Sequence, residues 1–242
     1  MDNQNKVVLL GFYGGDKTHC LSAWQSTNLD FEYTQDINSR IQVLFANTTK
    51  NKKKSPADLL KMLADYNHHT PFEKSTLHFQ ITGDIASHIH CLKHRIGVSI
   101  NAESARYKEL IDKWYIPNDW DIPVDDVTHF ARMSIFENAE RWDYVLSQYV
   151  ELGHELYHEA IQQLTPHLGR KRAKESARYF LTYAKQIDHD MMFNFRSFVH
   201  FQQLRNSDDA QKEIREIAQL MLDQVKAIPG NPFEYSLAAF NL

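Results

Sequence analysis

The chain has 242 residues, 43% of them hydrophobic, enough to bury a full core, and residues 1–242 read as a single domain. Its 27 Lys and Arg stand against 31 Asp and Glu, a formal net charge of -4, so no long-range positive field gathers nucleic acid or an anionic membrane. Any anion it binds must be met locally.

The N-terminal MDNQNKVVLLGFY lacks a basic n-region, and its apolar run is too short to span a bilayer or to act as an ordinary signal. Cys20 and Cys91 supply neither a disulfide framework nor a four-ligand zinc site, so a soluble protein of the reducing cytoplasm is expected. KNKKKSP, Lys50 to Pro56, reads as a solvated loop that ends at a helix start, with Ser55 as N-cap and Pro56 at the first helical position of the DLLKMLADY helix.

STLHFQIT alternates, with Leu77, Phe79 and Ile81 on one side and Thr76, His78 and Gln80 on the other, which predicts a half-buried strand. Gly83-Asp84 reads as a turn and N-cap for the helix IASHIHCLKHR, followed by a loop containing Gly97. From about Pro123 to Leu168 the pattern is helical, and RKRAKESARYFLTYAKQ starts another helix after Gly169. MMFNF reads as a short strand. SFVHFQQLR and DDAQKEIREIAQLMLDQVKAI read as two further helices, the second stopped by Pro229-Gly230. Helices outnumber strands, and the strands are too scattered for a repeated βαβ pattern, so the predicted class is α+β.

Two patterns bear on metal binding. HELYH, His154 to His158, has the H-E-x-x-H spacing that puts two His on one helix face with Glu155 as a base, the arrangement of a zinc hydrolase. Glu151 and Glu159 flank it, which equally fits a solvated acidic face. His88, His90 and His94 offer a second set, but Lys93 and Arg95 beside them repel a divalent cation. No metal ligand is assigned.

CLKHRIGVSINAESARYKEL crowds Lys93, His94, Arg95, Arg106 and Lys108 around small polar residues, which fits a phosphate site. Converging donors need room, and the planar fork of Arg can hold two oxygens at once. Neither G-x-G-x-x-G nor G-x-x-x-x-G-K-[ST] occurs, so this is no Rossmann or P-loop cradle. HHTPFEKS adds Thr70 and Glu73, SARYF adds Arg178, and NFRSFVHFQQLRNSDDAQKEI adds Asn194, Arg196, His200 and Arg205. Singly each could be structural; together they suit a site assembled from distant segments.

In these residues the chain resembles the flavin-dependent thymidylate synthases. That family's signature, Arg-His-Arg followed after a spacer by Ser and Arg, reads here as Lys93-His94-Arg95, eight residues, Ser104, Ala105 and Arg106. The upstream His-x-Thr-Pro-Phe-Glu is His68 to Glu73. The downstream Asn-x-Arg, Leu-Arg and Ala-Gln-x-Glu-Ile are Asn194 to Arg196, Leu204-Arg205 and Ala210 to Ile214. GGDKTHCLSAWQST is similar to the family's first turn and helix, so the resemblance spans about Val7 to Leu222.

The resemblance implies a mostly antiparallel sheet packed with helices, in a homotetramer whose active sites draw on several subunits. The implied reaction is reductive methylation of dUMP at C5, with methylenetetrahydrofolate as carbon donor and hydride from FAD reduced by NADPH. Thr70, Glu73, Lys93, His94, Arg95, Asn194, Arg196 and His200 match flavin positions; His90, Ser104, Ala105, Arg106, Arg178 and Arg205 match nucleotide positions. Arg106 and Arg178 suit the phosphate. Arg205, the residue assigned to catalysis, suits a uracil carbonyl, where a fixed cation stabilises charge as C5 becomes nucleophilic. Ser104 has no readable His-Asp partner, so it is assigned to phosphate binding rather than to attack.

Lys93 stands where the family has Arg, His90 where Gln is usual, Ala105 where Gly is common and Asp209 where His is frequent, and the Arg95–Ser104 spacer is one residue longer than the commonest form. Other readings are a methyl or hydroxymethyl transfer to C5 of another pyrimidine nucleotide such as dCMP, a non-catalytic nucleotide-binding relative, and a zinc hydrolase using His154, Glu155 and His158.

Overall fold

The computed structural model describes residues 4–26, 39, 55–125, 136 and 140–242. Four strands, β1 (Lys6–Tyr13), β2 (Thr76–Asp84), β3 (Val98–Ala102) and β4 (Gln186–Asn194), form one sheet in the order β1-β2-β4-β3. Leu77, Phe79 and Ile81 of β2 are fully buried while Gln80 is exposed, as the alternation requires. The amide of Asn194 donates to Gly97 O and that of Glu103 to Asp188 O, so a forward step along β3 is a backward step along β4 and the pair is antiparallel.

Helices α1 (Asp16–Gln25), α2 (Pro56–Asp65), α3 (Ile85–Cys91), α4 (Trp142–Leu168), α5 (Arg170–Ala177), α6 (Phe195–Arg205), α7 (Lys212–Lys226) and α8 (Glu234–Ala239) follow in chain order, with 3-10 turns at Thr70–Glu73 and Arg178–Phe180. The start of α2 is as expected: Ser55 Oγ accepts from Asp58 N at 3.2 Å and Pro56 opens the helix. The basic residues 50–54 lie outside the described residues.

Several boundaries differ from the expectation. Residues 6–13 form a strand because β-branched and apolar side chains suit an extended edge, even though Val8, Leu10 and Phe12 remain exposed and hide the alternation. Residues 98–102, expected in a loop, pair with β4. Gly83 continues β2 instead of turning, while Asp84 does cap α3, its Oδ1 accepting from Ser87 N at 2.8 Å. The helix expected from Pro123 begins only at Trp142: Pro123 bridges Arg141 in antiparallel fashion and Val124 N donates to Glu140 O. Residues 126–135 and 137–139, within that expectation, are outside the described set.

The chain divides into two compact units, one of Met1–Lys6, Thr82–Cys91 and Ala102–His189, the other of Val7–Ile81, Leu92–Asn101 and Asp190–Leu242. The second unit is built on aromatic rings. Phe79 stacks on Phe198 with centroids 5.8 Å apart, and Phe193 meets Phe198 and Phe201 edge-on. On α7, Ile214, Ile217, Ala218, Met221, Leu222 and Val225 are buried at helical spacing. Fully buried His19 lies between Phe72 and Phe195, its Nδ1 2.8 Å from Ser236 Oγ and its Nε2 2.6 Å from Ser75 Oγ.

In the first unit, Ala105, Leu110, Tyr157, Ile161 and Ala177 form a cluster, and Tyr157 Oη accepts from Leu110 N at 3.0 Å. Gly153 lets α4 approach the 3-10 turn, since a Cβ there would lie 2.8 Å from Phe180 O.

Burial pushes His19 from 6.5 down to about 3. The folded chain therefore binds fewer protons than the unfolded chain between those values, and stability falls as pH drops through that window. A His19→Gln variant is expected to be less stable at neutral pH yet to lose Tm more shallowly than the parent between pH 7 and 4; parallel curves would exclude His19 as the source. At Gly153 the clash outweighs the ~1 kcal/mol of helix propensity that alanine brings. Gly153→Ala should lower the urea midpoint, whereas a raised midpoint would show that the turn yields.

Candidate active site

The start of α6 is built by local chemistry. Asn194 is its N-cap, Oδ1 accepting from Ser197 N at 2.8 Å. Ser197 Oγ donates to Ile96 O at 2.6 Å, and Asn194 N donates to Gly97 O at 2.8 Å. The 92–97 turn is thereby tied to the helix. Gly97 holds φ at +65°, and a Cβ there would lie 2.2 Å from Asn194 Nδ2 and 2.5 Å from Ser197 Oγ, so both conformation and space call for glycine.

Two clefts open beside this junction, both within the second unit. One, of about 460 Å³, is lined by the cations Lys93, Arg95 and Arg205, by His94 and His200, and by apolar Ile96, Val98 and Leu204. The other, of about 380 Å³, includes His69, Glu73, Asn194, Arg196, Gln203 and Phe240. Ile96, Ser197 and His200 line both.

The first cleft gathers its charge from two distant motifs. Arg205, the last residue of α6, donates from Nε to His94 Nε2 at 3.0 Å. An arginine cannot accept, so this bond requires a neutral His94 ring with its proton on Nδ1. The ring also packs edge-on against Phe201, at 4.9 Å, and lies 5.9 Å from the His200 ring. In the second cleft, Arg196 Nη1 donates to Glu73 Oε1 at 2.9 Å, so that cation is partly neutralised by a half-exposed partner.

Of the residues expected at the flavin, Glu73, Lys93, His94, Arg95, Asn194, Arg196 and His200 line these clefts; Thr70 instead lines a separate cavity of about 590 Å³ with Trp24, Leu59 and Leu63. Arg205, expected at the nucleotide, stands with the flavin-assigned cations. Ser197, Gln203 and Leu204 were not singled out, although spacing from His200 puts all three at one face of α6. His69 and Phe240 carry no comparable signal.

The remaining expected nucleotide residues lie in the first unit. Arg106 is exposed and its Nε donates to Glu175 Oε1 at 2.5 Å, which with Arg172 holds the Glu175 carboxyl below its usual range. Ser104 Oγ accepts from Arg106 N at 3.3 Å, Ala105 is buried, and Arg178 begins the exposed 3-10 turn. His90, half-buried, is on the last turn of α3.

Neither reading of HELYH holds in full. Glu155 is exposed, yet His154 is buried and in contact with the Trp114 ring, so the face is not simply solvated. His154 Nδ1 and His158 Nε2 both meet Asp112 Oδ1, at 2.9 and 2.8 Å. The other set scatters: His88 meets His189 edge-on, with ring centroids 4.4 Å apart, while His94 pairs with Arg205.

The sequence profile described as "Thymidylate synthase complementing protein" matches residues 14–229. A flavin-dependent thymidylate synthase from Gluconobacter oxydans is 28% identical over 217 residues, covering 87% of this chain and 71% of that protein. One from Clostridium tetani is 31% identical over 179 residues, covering 73% and 69%. Among solved structures, a UMP/dUMP methylase PolB from Streptomyces cacaoi, bound with 5-Br dUMP, has the same fold, with a TM-score of 0.68 at 21% identity over 99% of this chain and 95% of that one. The matched span contains the 92–97 turn, α6 and the Ser104–Arg106 segment, and with it the chain belongs to the thymidylate synthase complementing protein family, the flavin-dependent thymidylate synthases.

Proposed function

We propose that the chain catalyses reductive methylation of dUMP at C5 to dTMP, with methylenetetrahydrofolate as carbon donor and NADPH-reduced FAD as hydride donor. The observation that carries this reading is the convergence of Lys93, His94, Arg95, His200 and Arg205 on one cleft in a chain of this family. The donor set fits a flavin nucleotide: cations for a diphosphate, and Ile96, Val98 and Leu204 beside them for an apolar ring. FAD, when bound, supplies the hydride.

Lys93 and Arg95 hold diphosphate oxygens, Lys93 as a point charge that aims less sharply than a guanidinium fork. Asn194 commits Oδ1 to Ser197, so its Nδ2 amide is what it offers a ligand, and Glu73 orients Arg196. Arg205, oriented by His94, faces the pyrimidine carbonyl and stabilises charge there. Arg106 and Arg178 hold the nucleotide phosphate, with His90, Ser104 and Ala105 bordering it, while Thr70, on its separate cavity, is left out of the flavin contacts. Cysteine attack on the pyrimidine has no candidate: Cys20 and Cys91 are buried, and burial pushes the Cys20 thiol up to about 12.

In this reading residues 1–242 serve as one catalytic domain and the enzyme is a homotetramer of the cytoplasm. The exposed apolar row Val8, Leu10 and Phe12 on β1 supports assembly. No helix among the described residues is long and apolar enough to cross a membrane.

Tritium release from C5-labelled dUMP, assayed with FAD, NADPH and methylenetetrahydrofolate, is expected to require the reductant. A flavin-loaded preparation that releases none would redirect the reading to another pyrimidine such as dCMP. Arg205→Ala should cut turnover by roughly 100- to 1,000-fold, the scale of one lost charge-stabilising donor, while flavin absorbance is retained. Full turnover in that variant would remove Arg205 from catalysis. Gly97→Ala should elute with less bound flavin than the parent, because the Cβ displaces Asn194 and Ser197; equal flavin content would show that the turn adapts.

A further inference from the structure

Outside the cleft, the first unit holds a cluster that the proposed reaction does not use. His154 and His158 are one turn apart on α4, and Asp112 comes from the segment that follows the Leu110 contact with Tyr157. One ligating atom from each of the three lies within 4.8 Å of the others, and among the described residues no other group of three His, Cys, Asp or Glu does so. We propose that Asp112, His154 and His158 bind a divalent first-row transition metal, with Zn²⁺ as its representative, and that the ion pins residues 109–112 to α4.

The ligand atoms already have the spacing that coordination needs. Asp112 Oδ1 is 2.9 Å from His154 Nδ1 and 2.8 Å from His158 Nε2, and neighbouring ligands on a metal with bonds of about 2.0–2.2 Å are separated by roughly 3 Å. A hydrogen-bonded trio would show the same distances, so the surroundings decide. His158 presents its other nitrogen, Nδ1, to Glu109 Oε1 at 2.8 Å, and Arg170 holds Glu109 Oε2 at 3.1 Å. This carboxylate-histidine-metal relay fixes ring orientation and raises ligand basicity. His154 is 3% exposed and held against the Trp114 ring, so one ligand is rigid, while half-exposed Asp112 leaves a side open for water as a further ligand.

The site is not that of a zinc hydrolase. Glu155 does not join the cluster and is exposed, so no base stands over the ion. Lys185, whose charge acts on His154, is buried, its ammonium directed to Lys113 O and Gln186 O, and burial pulls it down to about 8. On binding, the ring protons facing Asp112 are displaced to solvent or to the far ring nitrogen, and no redox change occurs. The ion's effect is to fix a segment that begins only a few residues after Arg106.

The 242-residue protein, dialysed against chelator, should take up one equivalent of Zn²⁺ per chain by calorimetry and gain Tm that rises with the logarithm of free Zn²⁺ above the dissociation constant. Asp112→Asn, a half-exposed position that should fold normally, and His158→Gln should each abolish that equivalent and the Tm gain. Glu109→Gln should weaken binding by roughly 10- to 100-fold, and Glu155→Gln should leave it unchanged. The proposal fails if the parent takes up no Zn²⁺, if one equivalent persists in both Asp112→Asn and His158→Gln, or if Glu155→Gln removes it. None of these outcomes depends on the proposed thymidylate chemistry, whose assay contains no metal.

Discussion

Three hydrogen bonds at the start of α6 organise the cleft around them. Asn194 N to Gly97 O, Ser197 N to Asn194 Oδ1 and Ser197 Oγ to Ile96 O tie the turn after α3 to a helix that carries the other half of the cationic set. Without that tie, Lys93 and Arg95 would sit on a surface turn held toward Arg205 only through the His94 ring between them. The cap therefore does two jobs. It satisfies amides at the helix start that would otherwise be orphaned, and it sets the distance between two motifs about a hundred residues apart in sequence.

Beneath the tie lies a bed of rings. Phe198 and Phe201 belong to the same helix as His200 and Arg205, and their packing against Phe79 and Phe193 limits how far α6 can slide or roll. Phe201 touches His94 directly, so the core reaches the cleft in one step. The neutral His94 demanded by Arg205 is thus held from below by an apolar ring and from the side by a guanidinium. Rigid support of this kind keeps a guanidinium aimed before any ligand arrives.

What could be read in advance follows from how local each signal is. The cap at Ser55, the alternation of β2 and the stripe of α7 are short-range patterns, and they are where expected. β1 escaped notice because its outward residues Val8, Leu10 and Phe12 are as apolar as its inward ones, and β3 because five residues beside a glycine look like a loop. Most flavin-assigned residues gather at the clefts, but Thr70 faces another cavity, and no spacing rule could have joined Asp112 to a helix that begins thirty residues later. HELYH puts Glu155 beside the two histidines, whereas the carboxylate that meets both rings is Asp112 and Glu155 is exposed.

The contrast between an acidic chain and a cationic cleft also has a kinetic side. At physiological ionic strength charges are screened beyond roughly 8 Å, so an anion meets Lys93, Arg95 and Arg205 only once it is nearly in place. The net charge of -4 offers it no guidance from farther out. Arrival is then ordinary diffusion for every small anion alike, and discrimination among them rests on how long each one stays.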